Sequence, residues 1–370
     1  MESVSIWRRF DYVLFGVSVL LIIFGVLMIR SATLGAVDPD LANRVSDQIL
    51  YASIGVVLVF VLAAVDYRLL GAMHVWLYLG LLGLLFLVPI IGVVGDAGAR
   101  RWINLGILIQ PSEIGKTIII VTLGFWLSKR YDKMDKITTI IGSMLHISLP
   151  VGLIFTQPDL GTTIVFVVLW LTLIWAAGLR IRHIILFIVI AFSLSPIMWS
   201  QMQPYQRERI TNFITTPSDA DEETIGSRYN IRQASISIGV GGLVGTGYAN
   251  GTQNVGRFLR VRHTDFIFSV IAEEFGFVGS TAVMVLIGIV ILRILRGARL
   301  AIDPLGSMIC YGVAAMIFFQ SVVSIGMNIG LLPVTGLTLP FISSGGTALL
   351  STLAGIGLAE SVIVRRRRIT

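Results

Sequence analysis

Ten hydrophobic segments, very little charge within them and a one-sided distribution of lysine and arginine predict an all-α polytopic membrane protein. Ten transmembrane helices are expected, with both termini in the cytoplasm. Charged residues make up 13% of the chain, about half the share found in soluble domains, and mean hydropathy is +0.87. In lipid such segments must be helical, because each backbone N–H and C=O has to be satisfied within its own segment.

The first apolar run, Tyr12 to Ile29, follows Trp7-Arg8-Arg9 and precedes Ser31-Ala32-Thr33. Its length and the spans that follow make it an uncleaved first span rather than a cleavable signal. The others are expected at about 48–65, 75–95, 112–128, 138–157, 160–179, 184–202, 276–296, 305–327 and 346–364. On this layout sixteen Lys and Arg fall in cytoplasmic segments and four, Arg30, Arg44, Arg100 and Arg101, in short outer loops. The net charge of +7 is thereby explained by orientation, and no nucleic-acid partner is needed. The single cysteine, Cys310, lies in an apolar run, which excludes a disulfide framework and a cysteine metal site.

No internal repeat or soluble boundary interrupts residues 1–370, so one integral domain is expected. Between the seventh and eighth helices lies a large extracytoplasmic loop, about 203–263, joining the polar "TTPSDADEETIGS" to the glycine-rich "SIGVGGLVGTGYANGTQ". A loop of that length inside a compact domain points to function.

Charge inside or beside a span is costly, which marks four outer clusters for attention. In "GARRWINLGILIQPSEIGK" Arg100 and Arg101 precede a span whose expected N-cap is Ser112. Glu113 is favoured there by the helix dipole, and Lys116 shares its helix face, so the two can neutralise one another. In "TQPDLGT" Asp159 either caps the next helix or faces a polar cavity shared with Glu113 and Lys116. The glycines of "SIGVGGLVGTG" have no strand–helix context for a nucleotide; they either bring amides to an anion or give the loop flexibility.

The fourth cluster is "RVRHTDFIFSVIAEEFG", residues 260–276. One straight helix from 264 would bury Glu273 and Glu274 roughly 14 Å below Asp265, deep in hydrocarbon. Starting the span near Gly276 avoids this and leaves a short amphipathic surface helix at 264–274, with Thr264 as its N-cap and the two glutamates as a solvated face. Asp265 then stands at a helix N-terminus beside His263, either as a cap charge or as a catalytic group. The carboxylates of Asp265, Glu113 and Asp159 are expected to converge on one outward-open cavity.

Six stretches together resemble the SEDS family (shape, elongation, division and sporulation proteins): "RRWINLGILIQPSEIGK", "QPDLGT", "YQRERI", "YNIRQASISIGVGGLVGTGYANGTQ", "RHTDFIFSVIAEEFG" and "LPFISSGGTALL". They follow the family's order. The "GTQ" at 251–253, the "RHTDF" from Arg262 and the short N-terminal tail are similar to the rod-shape branch rather than the division branch. Two departures are "FLRV" before "RHTD", where the family carries a Pro-Glu pair, and serine in "SSGGT" where tyrosine is usual.

The resemblance implies a peptidoglycan glycosyltransferase of the bacterial cytoplasmic membrane that polymerises lipid II at its outer face and pairs with a class B penicillin-binding protein transpeptidase. It places the essential aspartate on Asp265, the acidic and basic pair on Glu113 and Lys116, and the turn carboxylate on Asp159. An inverting displacement at the sugar C1 needs one base, here Asp265, and no second nucleophilic carboxylate. Arg100, Arg101 or Lys116 is expected to meet charge on the leaving diphosphate, as is a divalent cation (Mg or Mn) bridged by substrate. A flippase of lipid-linked precursors is the alternative; it would place polar half-helices at the midplane, whereas these charges cluster on the outer side.

Overall fold

The computed structural model describes residues 6–34, 41, 43–94, 100–104, 106–179, 227–256, 258–259 and 261–366, with scattered positions between 183 and 211. The seventh expected span, 184–202, lies largely outside the described residues, as does the polar stretch 215–226. The described helices are α1 (Tyr12–Thr33), α2 (Arg44–Ala64), α3 (Tyr67–Ala72), α4 (His74–Ile91), α5 (Pro111–Ser128), α6 (Ile137–Thr156), α7 (Leu160–Ala176), α8 (Ser227–Gly241), α9 (Thr252–Val255), α10 (Ile267–Leu300), α11 (Pro304–Asn328) and α12 (Gly346–Val364). Between α4 and α5 runs an antiparallel sheet, β1 (Val93–Val94), β2 (Arg100–Asn104) and β3 (Leu108–Ile109), in that order.

Seven of the described helices, α1, α2, α4, α6, α10, α11 and α12, are long and apolar enough to cross a membrane. Shorter, at 17 residues, is the apolar α7, while α5 carries Glu113 and Lys116 in its first turns. Local chemistry sets the helix starts. The Asp11 carboxylate caps α1 by accepting from the N–H groups of Val13 and Leu14, at 3.2 and 3.0 Å. Asp303 does the same for α11, whose first residue is Pro304. Ser112 does not cap α5. Pro111 takes the first helical position, which leaves Gln110 at the cap and Ser112 inside the helix.

Centrally placed, α12 has its residues buried almost throughout. Glycines let α2 approach it: a Cβ on Gly357 would stand 3.0 Å from the Val59 Cα, and one on Gly346 would meet the Tyr51 ring at 2.3 Å. Small residues at a helix contact are the ordinary route to tight packing where lipid offers no competing hydrophobic force. At the far end of α12 the Asp11 N–H donates to Glu360 (3.1 Å) and Arg293 of α10 pairs with Asp11 (2.6 Å), joining the starts and ends of three helices.

Helix α10 is broken at Gly276, where φ is 64° and ψ is −161°. The expected break at Gly276 is present, but the stretch before it is not an amphipathic surface helix. Ile267 to Glu274 are all buried, with Glu273 and Glu274 at 0% and 1% exposure. Turns, not helix, occupy 261–266, and Phe266 rather than Thr264 is the N-cap. The two glutamates are not a solvated face because they hold the neighbouring loop. Glu273 accepts from the Gln253 N–H (2.7 Å) and the Thr252 hydroxyl (3.2 Å), and Glu274 from Asn254 (2.9 Å) and the Ser31 hydroxyl.

The glycine-rich segment after α8 seats its backbone on this break. Thr246 and Gly247 N–H groups donate to the Glu273 and Glu274 carbonyls, each at 3.0 Å, while Phe277 and Val278 N–H groups donate back to Gly242 and Leu243 (2.9 and 3.1 Å). Two glycines here permit this approach: a Cβ on Gly241 or Gly245 would stand 1.9 or 2.2 Å from the Ala272 or Glu274 carbonyl oxygen.

Candidate active site

The site is assembled around the N-terminal end of α12. Thr347 and Ser351 lie one turn apart on that helix, so they face the same side. Thr347 Oγ1 accepts from the Gln110 N–H (3.2 Å) and donates to the Leu108 carbonyl (3.1 Å). Ser351 Oγ donates to the Glu113 carbonyl at 2.6 Å. Gln110, just before α5, reaches on through Nε2 to the Asp159 carboxylate at 3.0 Å.

Asp159 caps α7, with Oδ1 accepting from the Thr162 N–H at 3.2 Å. Glu113 and Lys116 form a buried pair, Oε2 to Nζ 2.6 Å, as their spacing on α5 suggests. Strand β2 delivers Arg101 to the same turn: its Nε donates to the Gln157 carbonyl (3.1 Å) and its terminal nitrogen to that of Pro158. Arg100, on the opposite side of the strand, is exposed and donates to the Pro89 carbonyl at 3.3 Å.

On the other flank of α12, the segment 339–346 holds the Asp265 turn. The Ser344 N–H donates to the His263 carbonyl (2.9 Å), the Ser343 hydroxyl to that of Thr264 (2.8 Å), and Asn328 Nδ2 to that of Asp265 (2.8 Å). Asn328 also accepts from Ser269 through its N–H (3.0 Å) and hydroxyl (2.7 Å), which fixes the first turn of α10. Three successive carbonyls are thus fastened, and the half-buried Asp265 sits on a defined backbone rather than a loose loop.

An open cavity of about 550 Å3 lies beside this turn. Among the residues that line it are His263, Thr264, Gly345, Gly346, Arg44, Asp47, Tyr51 and Trp102. Of the candidate site residues named from sequence (Asp265, Glu113, Lys116, Asp159, Arg100, Arg101 and His263), His263 is the one that lines it. The three carboxylates therefore do not line one cavity. Glu113 is neutralised by Lys116, and Asp159 is engaged by Gln110 and the α7 terminus; neither is among the residues lining the cavity.

Arg44 is the residue that sequence reasoning missed. Its Nε is buried and has no hydrogen-bond partner among the described residues, and the residue lines the cavity together with Asp47 and the start of α12, where Gln48 accepts from the Gly345 N–H (3.4 Å). In sequence Arg44 is one more cation near the start of a span. The nearby Asp47 and Gln48 were the available signal that this start is polar for more than orientation. A cation and helix amides together favour an anionic group.

Among the described residues no three His, Cys, Asp or Glu side chains come together as a metal cage. A Mg2+ or Mn2+ ion held chiefly by substrate phosphates and water needs only one or two carboxylates, which Asp47 in the cavity lining or Asp265 beside it could supply.

The family of cell cycle proteins comprising FtsW, RodA and SpoVE matches residues 11–368. The peptidoglycan glycosyltransferase MrdB of Escherichia coli is 35% identical, over 95% of this chain and 92% of that protein. A chain of a peptidoglycan synthase complex that coordinates polymerization and crosslinking superposes with a TM-score of 0.80 at 31% identity, covering 96% of this chain and 98% of that one. The crystal structure of the rod shape determining protein RodA of Thermus thermophilus gives 0.71 at 30% identity, covering 98% and 99%.

Proposed function

The chain belongs to the FtsW, RodA and SpoVE family, and from that premise we propose that it joins lipid II units into glycan strands with Asp265 as the general base. It is a multi-pass protein of the bacterial cytoplasmic membrane and a peptidoglycan glycosyltransferase. The finer layout, ten spans with both termini in the cytoplasm, fits the lysine and arginine distribution.

The observation that carries the reading is the fastening of the His263, Thr264 and Asp265 carbonyls beside a cavity that also holds Arg44 and the α12 N-terminus. Asp265 follows directly on the lining residues His263 and Thr264, which sets the base at the edge of a space that holds Arg44 and Asp47. The acceptor C4 hydroxyl loses its proton to the Asp265 carboxylate as its oxygen bonds to C1 of the donor sugar. The bond from C1 to the diphosphate oxygen breaks on the opposite face, and undecaprenyl diphosphate leaves. One displacement inverts C1, so no glycosyl-enzyme intermediate is required.

Charge grows on the leaving diphosphate, where Arg44 and the Gly346 amide would meet it, the Gly345 N–H donating to Gln48 (3.4 Å). Arg101 and Lys116 are engaged elsewhere, by carbonyls and by Glu113, so their part is to hold the turn and α5 in place. A divalent cation, when bound, would supply further charge neutralisation at the diphosphate. A class B penicillin-binding protein would crosslink the emerging strand.

Labelled lipid II given to the purified chain, with and without such a transpeptidase, tests this. Glycan polymer is the expected product. Transfer of lipid II across vesicles without polymer would replace this reading with a flippase.

A further inference from the structure

At the end of α5 opposite Glu113, a second polar cleft of about 490 Å3 is surrounded by Lys129, Arg130, Lys133 and Lys136. Eighteen residues of helix place it roughly 27 Å from the substrate side, at the other membrane face. Orientation alone would scatter cations over that surface; here four of them border one concavity. None of the four has a carboxylate within 4.0 Å among the described residues.

The floor is built, not incidental. The Trp126 ring lies against α6 where a Cβ on Gly142 would be 2.8 Å away, so only glycine admits it. Arg130 stacks on that ring, 4.1 Å from its centre, and donates to the Trp126 carbonyl at 3.1 Å, which fixes its guanidinium at the cleft. The far wall is the first turn of α6, a 20-residue helix with no side-chain cap, where Thr138 offers a hydroxyl. From this rim Ile137, Ile141 and Leu145, four residues apart on one face of α6, run exposed into the apolar layer.

We propose that this cleft binds the phosphate headgroup of an anionic membrane phospholipid, whose acyl chain lies along Ile137, Ile141 and Leu145. Cations and helix amides select the phosphate, and the apolar stripe selects a lipid over a soluble anion.

The test is native mass spectrometry and lipid exchange of the full chain in nanodiscs of phosphatidylcholine doped with phosphatidylglycerol. Wild type should retain phosphatidylglycerol preferentially. The triple variant Lys129→Gln, Lys133→Gln, Lys136→Gln should bind it on the order of a hundredfold more weakly, at about 1 kcal/mol per charge. Arg296→Gln with Arg299→Gln, two exposed cations at the end of α10, should leave retention unchanged. Equal retention by the triple variant, or an equal loss in the α10 control, overturns the site. Displacement of the lipid by millimolar inorganic phosphate would make it a soluble-anion site and overturn the lipid assignment.

Discussion

Gly245 rests on Glu274 backbone to backbone, so closely that a Cβ on Gly245 would stand 2.2 Å from the Glu274 carbonyl oxygen. Gly276 returns the contact, its own Cβ position lying 2.5 Å from the Gly245 nitrogen. Both have positive φ, 81° and 64°. Gly245→Ala and Gly276→Ala should each cost about 1–3 kcal/mol of stability, through strain and overpacking together. Thermal unfolding in detergent checks it; wild-type midpoints would mean the loop is not seated on the break.

Asp265→Asn keeps the side chain's size and the carbonyl bond to Asn328 but removes the base. Polymerisation of lipid II should fall by roughly 10²–10⁴, with lipid II binding and the unfolding midpoint retained. Polymer formed at the wild-type rate would remove Asp265 from the chemistry.

Glu113→Gln leaves Lys116, 1% exposed, without its counter-charge. Loss of one partner of such a pair costs on the order of 3–5 kcal/mol, whereas removing both charges is far milder. The double variant Glu113→Gln, Lys116→Met should therefore unfold at a higher temperature than the single one. If stability returns in the double variant without activity, the pair also serves the site.

At the other membrane face Asp303 accepts from the Gly306 N–H (2.8 Å), Arg68 (2.7 Å) and the Tyr67 hydroxyl (2.9 Å). Burial would raise its carboxyl, but these donors outweigh it and hold the carboxyl below its ordinary value of 3.8. Its folded value being the lower, the group stabilises the protein above that ordinary value, and the contribution is lost as pH falls through the folded one. Arg68 is half exposed, so the effect is modest, about 1 kcal/mol or less. Asp303→Asn should flatten the acid limb of a stability profile measured from pH 6 to 3.

Hydropathy and end chemistry made much of this fold legible. The spans at 305–327 and 346–364 fall within one residue of α11 and α12, and the i,i+3 spacing of Glu113 and Lys116 shows directly as an ion pair. Asp159 is the cap its turn suggested. What sequence hid was tertiary. Glu273 and Glu274 read as solvated because nothing local shows that Thr252, Gln253, Asn254 and Ser31 come to meet them. Ser112 reads as a cap until Pro111 claims the first turn. Thr347 and Ser351, unremarkable in a small-residue helix, hold Gln110 and Glu113 from more than 230 positions away.

The break at Gly276 also settles a question of length. Unbroken, the 34 residues of α10 would rise roughly 51 Å, far beyond the apolar layer, and the excess would have to be absorbed by steep tilt or by local thickening of the bilayer. Divided there, the part from Phe277 onward measures roughly 36 Å, a modest tilt from a matched fit, and the remainder turns inward beneath the glycine loop. One left-handed glycine thereby gauges the helix to the thickness of its membrane.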